Sequence, residues 1–238
     1  MRPAGVLALV PAAGRGVRLA AGMPKAFVPL LGRPLLWHCV HALLAAGCVE
    51  QVVVAVGEGH QDQARAALAD AGDRVRVVTG GAERSDSVRK ALDAARGADA
   101  VLVHDAARCL TPVEVIRAVA DAVLGGQRAV VPVLPVVDTI KQIGPDGRVL
   151  ATVDRSALRV VQTPQGFAAD LLRTAHRRAS GPATDDAGLV ERMGETVTTV
   201  PGHPHAFKIT TPFDLAVAEV VAGVMAGSGT AGVTVKRA

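Results

Sequence analysis

Val6-Leu7-Ala8-Leu9-Val10-Pro11-Ala12-Ala13-Gly14-Arg15-Gly16-Val17-Arg18-Leu19 is the stretch whose reading decides the fold. Its five leading apolar residues do not alternate with polar ones, as a strand with one wet face would. They read as a strand buried on both faces, and the glycines behind them as a tight turn at its carboxyl end. Working outward, the same unit recurs. Strands are expected at Gln51–Val56, Arg74–Val78, Ala100–Val103 and Ala129–Val133. Helices are expected at Pro34–Ala46 (ended by Gly47), His60–Ala71, Arg84–Arg96 and Pro112–Leu124. Strand–helix alternation of this kind specifies an α/β fold: a Rossmann-like, mostly parallel sheet with helices on both faces. Ligands of such sheets sit at the carboxyl ends of the strands, so the turns after Val10, Val78 and Val103 should surround one crevice.

The rhythm breaks between Leu134 and Arg155. Val136–Ile143 and Arg148–Val153 flank Gly144-Pro145-Asp146-Gly147, which reads as a protruding β-hairpin arm over about 134–156. A lone hairpin is marginally stable and must pack on something, for which a second subunit is one solution. Beyond it come the segment Leu158–Thr163, helices near Ala168–Arg178 and Asp185–Met193, a strand at Thr196–Val200 and a helix at Pro212–Met225. The expectation is a single domain over residues 1–226 and a flexible tail over 227–238.

Composition narrows the function. Of 238 residues, half are apolar and 20% charged, which suits a globular chain. One Trp, four Phe and no Tyr leave no platform for stacking nucleic-acid bases. The densest basic cluster, Arg173, His176, Arg177 and Arg178, is too small for a duplex-binding stripe. A net charge of +4 spread along the chain suits a small anionic ligand better. Three cysteines (Cys39, Cys48 and Cys109) without metal-ligand spacing, no leader and no apolar run long enough to span a bilayer read as a cytoplasmic protein.

Three clusters carry chemistry. Gly14 and Gly16 allow backbone N–H groups to approach an anion, and Arg18 and Lys25 add two fixed positive charges, a combination that suits a triphosphate. Neither common phosphate motif fits. No Gly-Lys pair exists for a Walker loop, and Leu19 replaces the third glycine of the dinucleotide fingerprint, with Glu50 too distant for its ribose contact and Glu58 poorly spaced. Gly80-Gly81-Ala82-Glu83-Arg84-Ser85-Asp86-Ser87 again joins a strand to a helix, with Ser85 a candidate cap and Ser87 facing back to the loop. His104-Asp105-Ala106-Ala107-Arg108 closes a third strand. Asp105 there could hold Mg²⁺ carried in by a nucleotide, or pair with Arg108 to close the loop. His38 and His41 lack a third ligand, and His203 and His205 lack partners. No nucleophile elbow occurs.

Taken in order, these clusters resemble the 2-C-methyl-D-erythritol 4-phosphate cytidylyltransferase family. Pro11-Ala12-Ala13-Gly14-x-Gly16 with Arg18 and Pro24-Lys25 is similar to its CTP loop, and Gly80 to Ser87 to its base-binding segment. His104 to Arg108, Asp138-Thr139, Val153-Asp154-Arg155, Thr163-Pro164-Gln165 and Lys208 continue the match over about residues 5 to 222. The resemblance implies transfer of the cytidylyl group of CTP to a polyol phosphate with release of pyrophosphate, with Mg²⁺ or another divalent cation as cofactor. It implies nucleotide contacts from Pro11, Ala12, Ala13, Gly14, Gly16, Gly81, Arg84, Ser87, Asp105 and Ala106. Acceptor contacts would come from Asp105, Arg108, Thr139, Arg155, Thr163 and Lys208, with Arg18, Lys25, Arg155 and Lys208 catalytic. It further implies a homodimer whose arm carries Thr139 and Arg155 into the partner's site. Ala82 and Cys109 depart from the family's frequent Asp and Pro. The rival readings are a ribitol 5-phosphate cytidylyltransferase, an NAD-dependent reductase and a non-catalytic nucleotide-binding regulator.

Overall fold

The computed structural model describes residues 5–14, 19, 22–179 and 184–227. Gly16, Arg18 and all but the first residue of the expected tail 227–238 lie outside the described residues.

Strand β1, Val6–Ala12, shows why its sequence is a continuous apolar run. Val6, Ala8, Val10 and Ala12 belong to one hydrophobic layer and Leu7 and Leu9 to another on the opposite face. Successive strand residues point to opposite faces, so a strand covered on both sides needs apolar residues at every position. A two-residue ribbon, β2 (Pro29–Leu30) with β3 (Arg33–Pro34), leads into helix α1, Leu35–Ala45. Strand β4, Gln51–Val56, pairs parallel with β1 and divides its side chains in the same way.

The expected helix from His60 stops early. Helix α2 covers Gln61–Ala67, and a 3₁₀ segment over Ala69–Arg74 breaks at Gly72, whose φ of 59° no continuing helix accepts. Strand β5, Val75–Thr79, pairs parallel with β4; helix α3 is Arg84–Ala94, strand β6 is Ala100–Val103 and helix α4 is Val113–Leu124. Strand β7 is Ala129–Pro135, followed by the arm, β8 (Ile140–Ile143) paired antiparallel with β9 (Val149–Val153). The arm is shorter than expected, because residues 136–139 are not part of its ladder. Its apolar side chains meet water: Val137 is 79% exposed and Leu150 62%.

After the arm, β10 (Arg159–Val161) and β11 (Gln165–Ala168) follow one another, with a cis peptide at Thr163–Pro164 between them. The expected helix from Ala168 is preceded by this unexpected β11, which runs antiparallel between β6 and β7. Helices α5 (Ala169–Arg178) and α6 (Ala187–Glu191), strand β12 (Thr198–Pro201) and helix α7 (Pro212–Gly227) complete the chain. The sheet order is β5–β4–β1–β6–β11–β7, with β10 antiparallel and β12 parallel to β7. Helices α1, α4 and α7 contribute to one hydrophobic layer, and α3, α5 and α6 to the other. The expected Rossmann-like sheet and hairpin arm are present.

Candidate active site

The carboxyl ends of β1, β5 and β6 open on one cavity of about 310 Å³. Pro11, Ala12, Ala13 and Gly14 line it from the turn after β1, Lys25 and Ala26 from the next turn, Gly81 to Arg84 and Ser87 from the start of α3, and Asp105 to Ala107 from the turn after β6. Lys208 and Thr210, from the far end of the chain, close the last side.

Local packing explains the close approach of the first two turns. A Cβ on Gly80 would stand 2.8 Å from both Ala13 Cβ and Ser87 Oγ, and one on Gly81 would stand 2.2 Å from Asp86 Cβ. Only glycine lets these loops pack this closely. The hydroxyl of Ser87 accepts the Gly81 N–H at 3.0 Å and donates to the Glu83 carbonyl at 3.2 Å, so it does face back to the loop. Ser85 is not the cap; Glu83 occupies that position, with no side-chain cap bond.

Asp105 is the electrostatic hinge. Its Oδ1 accepts from Arg84 Nε at 3.1 Å and its Oδ2 from Lys208 Nζ at 2.7 Å. Burial pushes its carboxyl up, but the charges of Arg84 and Lys208 outweigh that and hold it well below the usual carboxylate range. The expected Asp105–Arg108 pair is thus replaced. Arg108 instead donates to the carbonyls of Ala206 at 2.7 Å and Val161 at 3.3 Å, tying the turn that precedes Lys208 to β10. Each oxygen of Asp105 takes one charged hydrogen bond and keeps a lone pair, so the carboxylate could still meet a magnesium ion carried in by a nucleotide. No group of three or more His, Cys, Asp or Glu side chains gathers for a metal among the described residues.

Thr163 sits behind the site. Its hydroxyl is buried, accepts the Asp105 N–H at 3.1 Å and lies 2.8 Å from His104 Nδ1. Burial pushes His104 down to about 4, against the attraction of Asp105. The unfolded imidazole takes up a proton below about pH 6.5, whereas the folded one resists until about 4. Stability contributed by the neutral ring is therefore complete above the unfolded value and falls as pH drops through that window, by about 3 kcal/mol at pH 4. Urea unfolding of wild type and His104→Gln between pH 7 and pH 4 is expected to show the wild-type midpoint falling more steeply. Parallel curves would refute the assignment.

The family model described as 2-C-methyl-D-erythritol 4-phosphate cytidylyltransferase matches residues 6–223. The chain belongs to that family. A cytidylyltransferase of this name from Saccharopolyspora erythraea is 60% identical over 220 residues, covering 91% of this chain and 98% of that one. One from Nocardia farcinica is 58% identical over 216 residues, covering 91% and 93%. The crystal structure of the Thermus thermophilus cytidylyltransferase superposes with a TM-score of 0.75 at 40% identity, covering 92% of this chain and 99% of that one.

The cavity of this cytidylyltransferase family member gathers Pro11, Ala12, Ala13, Gly14, Lys25, Gly81, Arg84, Ser87, Asp105, Ala106 and Lys208. Among the described residues of the expected set, Arg108, Thr139, Arg155 and Thr163 do not line it. Thr139 and Arg155 are exposed, and Arg155 donates to the Val137 carbonyl at the base of the arm. Ala82 presents a methyl group to the cavity. Cys109 is buried and its thiol is pushed up to about 12, chiefly by that burial, so it offers no thiolate.

Two further residues, Asp186 and His176, complete the network around Arg84. Asp186 takes the other end of Arg84, Nη1 to Oδ2 at 2.7 Å, and His176 Nε2 lies 2.9 Å from its Oδ1. In sequence His176 belongs to the basic cluster of Arg173, Arg177 and Arg178. Its spacing of four from Leu172 on α5 places both on the buried helical face, and that was the available signal.

Proposed function

We infer that the chain transfers the cytidylyl group of CTP to 2-C-methyl-D-erythritol 4-phosphate, giving 4-diphosphocytidyl-2-C-methyl-D-erythritol and pyrophosphate, a step of non-mevalonate isoprenoid biosynthesis. The observation that carries this reading is the convergence of Lys25, Arg84, Asp105 and Lys208 on the glycine-lined cavity at the sheet edge. In the reaction a phosphomonoester oxygen of the acceptor bonds to the α-phosphorus of CTP, and the bond from that phosphorus to the β-phosphate bridge breaks. The acceptor phosphate has a second pKa of roughly 6 and is largely dianionic at neutral pH, so no general base is required. That agrees with a cavity lined by cations and backbone amides rather than histidine. The obstacle is mutual repulsion of two polyanions and charge growth on the departing pyrophosphate, which fixed cations and amide dipoles relieve.

In this reading Ala12, Ala13, Gly14, Gly81 and Ser87 hold the cytosine, Arg18 and Lys25 the triphosphate, and Asp105 the ribose. Lys208 turns toward the acceptor phosphate. Asp105, together with the nucleotide phosphates, would hold Mg²⁺ or another divalent cation, which would offset charge on the triphosphate. The chain works as one domain over residues 1–226 whose arm, with its exposed Val137, Ile143, Val149 and Leu150, packs on a second copy and brings Thr139 and Arg155 to the partner's acceptor. Among the described residues no helix is long and apolar enough to cross a membrane, and the three cysteines are free thiols, which supports work in the cytoplasm.

A pyrophosphate-release assay pairing CTP, UTP, GTP and ATP with methylerythritol phosphate and with ribitol 5-phosphate tests the reading. Turnover is expected with CTP and methylerythritol phosphate; preference for the ribitol ester would transfer the assignment to that acceptor. Arg155→Ala is expected to raise KM for the polyol phosphate more than KM for CTP. Equal increases would argue against placing Arg155 at the acceptor.

A further inference from the structure

Asp186 stands at the N-cap of α6, where an aspartate usually accepts a backbone N–H of the first turn. It makes no such bond. The neighbouring Asp185 accepts the Gly188 N–H at 3.0 Å instead, and the Asp186 carboxylate turns inward, its side chain 1% exposed. Its backbone cannot follow a moving partner, because Gln165 Oε1 accepts the amides of both Asp186 and Ala187 at 3.1 Å. What remains adjustable is rotation of the carboxylate. That rotation is pinned from two sides, by Arg84 on Oδ2 and by the buried His176 ring on Oδ1.

We propose that His176 is a positioning residue for the transfer reaction, acting through Asp186 and Arg84 on the Asp105–Lys208 pair. The four bonds form one line from α5 to the cavity: His176 to Asp186 at 2.9 Å, Asp186 to Arg84 at 2.7 Å, Arg84 to Asp105 at 3.1 Å and Asp105 to Lys208 at 2.7 Å. Each carboxylate oxygen in it has its own donor. An ionised aspartate only accepts, so Nε2 of His176 carries a proton and donates it. The guanidinium is planar and its donors are fixed in a fork, so Arg84 cannot serve both aspartates unless both present an oxygen at the right angle. Without the His176 donor, Oδ1 of Asp186 is left buried and unpaired. The carboxylate then rotates to draw a second N–H from Arg84, and the Nε bond to Asp105 lengthens. Asp105 in turn loosens its hold on Lys208. His176 touches no substrate; it acts only by orientation.

The inference rests on the cytidylyl-transfer reading, and the test separates the two. Full-length wild type, His176→Leu and His176→Gln are assayed for pyrophosphate release with CTP and methylerythritol phosphate, and their melting temperatures are recorded. Leucine fills the space without a donor, whereas the glutamine amide can reach the position of Nε2. Kinetic efficiency of His176→Leu is expected to fall roughly tenfold, the low end for loss of a partner that orients a site residue. Both KM values should rise, because Arg84 and Asp105 face the nucleotide and Lys208 the acceptor, and His176→Gln should recover most of the loss. A merely structural role would reduce the folded fraction, lowering apparent kcat while leaving both KM values unchanged. Unchanged KM values in His176→Leu, or a glutamine variant as impaired as the leucine one, would overturn the proposal. Should His176→Leu fail to fold, His176→Asn, too short to reach Oδ1, takes its place with the same expectations. Absence of turnover in wild type would instead sink the functional reading itself.

Discussion

Lys25→Ala is expected to lower kcat for pyrophosphate release by about 10²–10³ while the protein stays folded. The magnitude is that of losing one preorganised group that meets charge as it develops. Lys25 lines the cavity, and its carbonyl accepts the Val28 N–H at 3.2 Å, a bond that any residue can supply. The turn is anchored by the buried Ala26 and Phe27 that follow. A melting temperature near wild type with turnover reduced on that scale is therefore the expected pair of results. Near-normal turnover in the purified variant would show that the loop has been assigned wrongly.

Asp105→Asn should damage both activity and stability. An amide in place of the carboxylate must turn an NH₂ group toward Arg84 or Lys208, donor against donor. Removing one member of a buried pair costs about 3–5 kcal/mol. The side chains of Arg84 and Lys208 are 27% and 41% exposed, so water recovers part of that and about 2 kcal/mol is expected here. Urea unfolding followed by Trp37, the one tryptophan, measures it. The acid limb gives a second check. A carboxyl held below its unfolded value contributes stability that is present above about pH 4 and is lost as pH falls through the folded value. The wild-type curve should therefore drop below pH 4, and that of Asp105→Asn should be flatter. Kinetic efficiency should fall by about 10²–10³, since the variant releases Lys208 as well as losing the carboxylate. A variant of wild-type stability and activity would remove Asp105 from the centre of the site.

What could be read from the chain follows its burial. Strands β1, β4 and β6 are covered on both faces, so every position except Gln51 at the start of β4 is apolar and their runs stand out. Strand β11 does not, although it lies in the middle of the same sheet. It contains Gln165, whose amide bridges to Asp185 and the start of α6, and Gly166. A Cβ on Gly166 would come within 2.5 Å of Val119 Cγ1, so α4 can pack on the sheet only where that strand has no side chain. Two of its four residues were thus chosen for contacts that look unlike strand propensity. The site divides in the same way. Lys25, Gly81, Ser87 and Asp105 follow strand ends and were legible by position. The bond from Arg84 to Asp186 spans 102 residues and leaves no local pattern.

The late arrival of β11 has a consequence for synthesis. When the ribosome has released only the first 160 or so residues, β6 and β7 both exist in sequence, but the strand that joins them does not. Each then presents an unpaired row of N–H and C=O groups flanked by valines, a template for pairing with a neighbouring nascent chain. A translational pause that leaves Gln165 to Ala168 inside the exit tunnel should therefore be a hazard to yield, whereas one after they have emerged should be harmless.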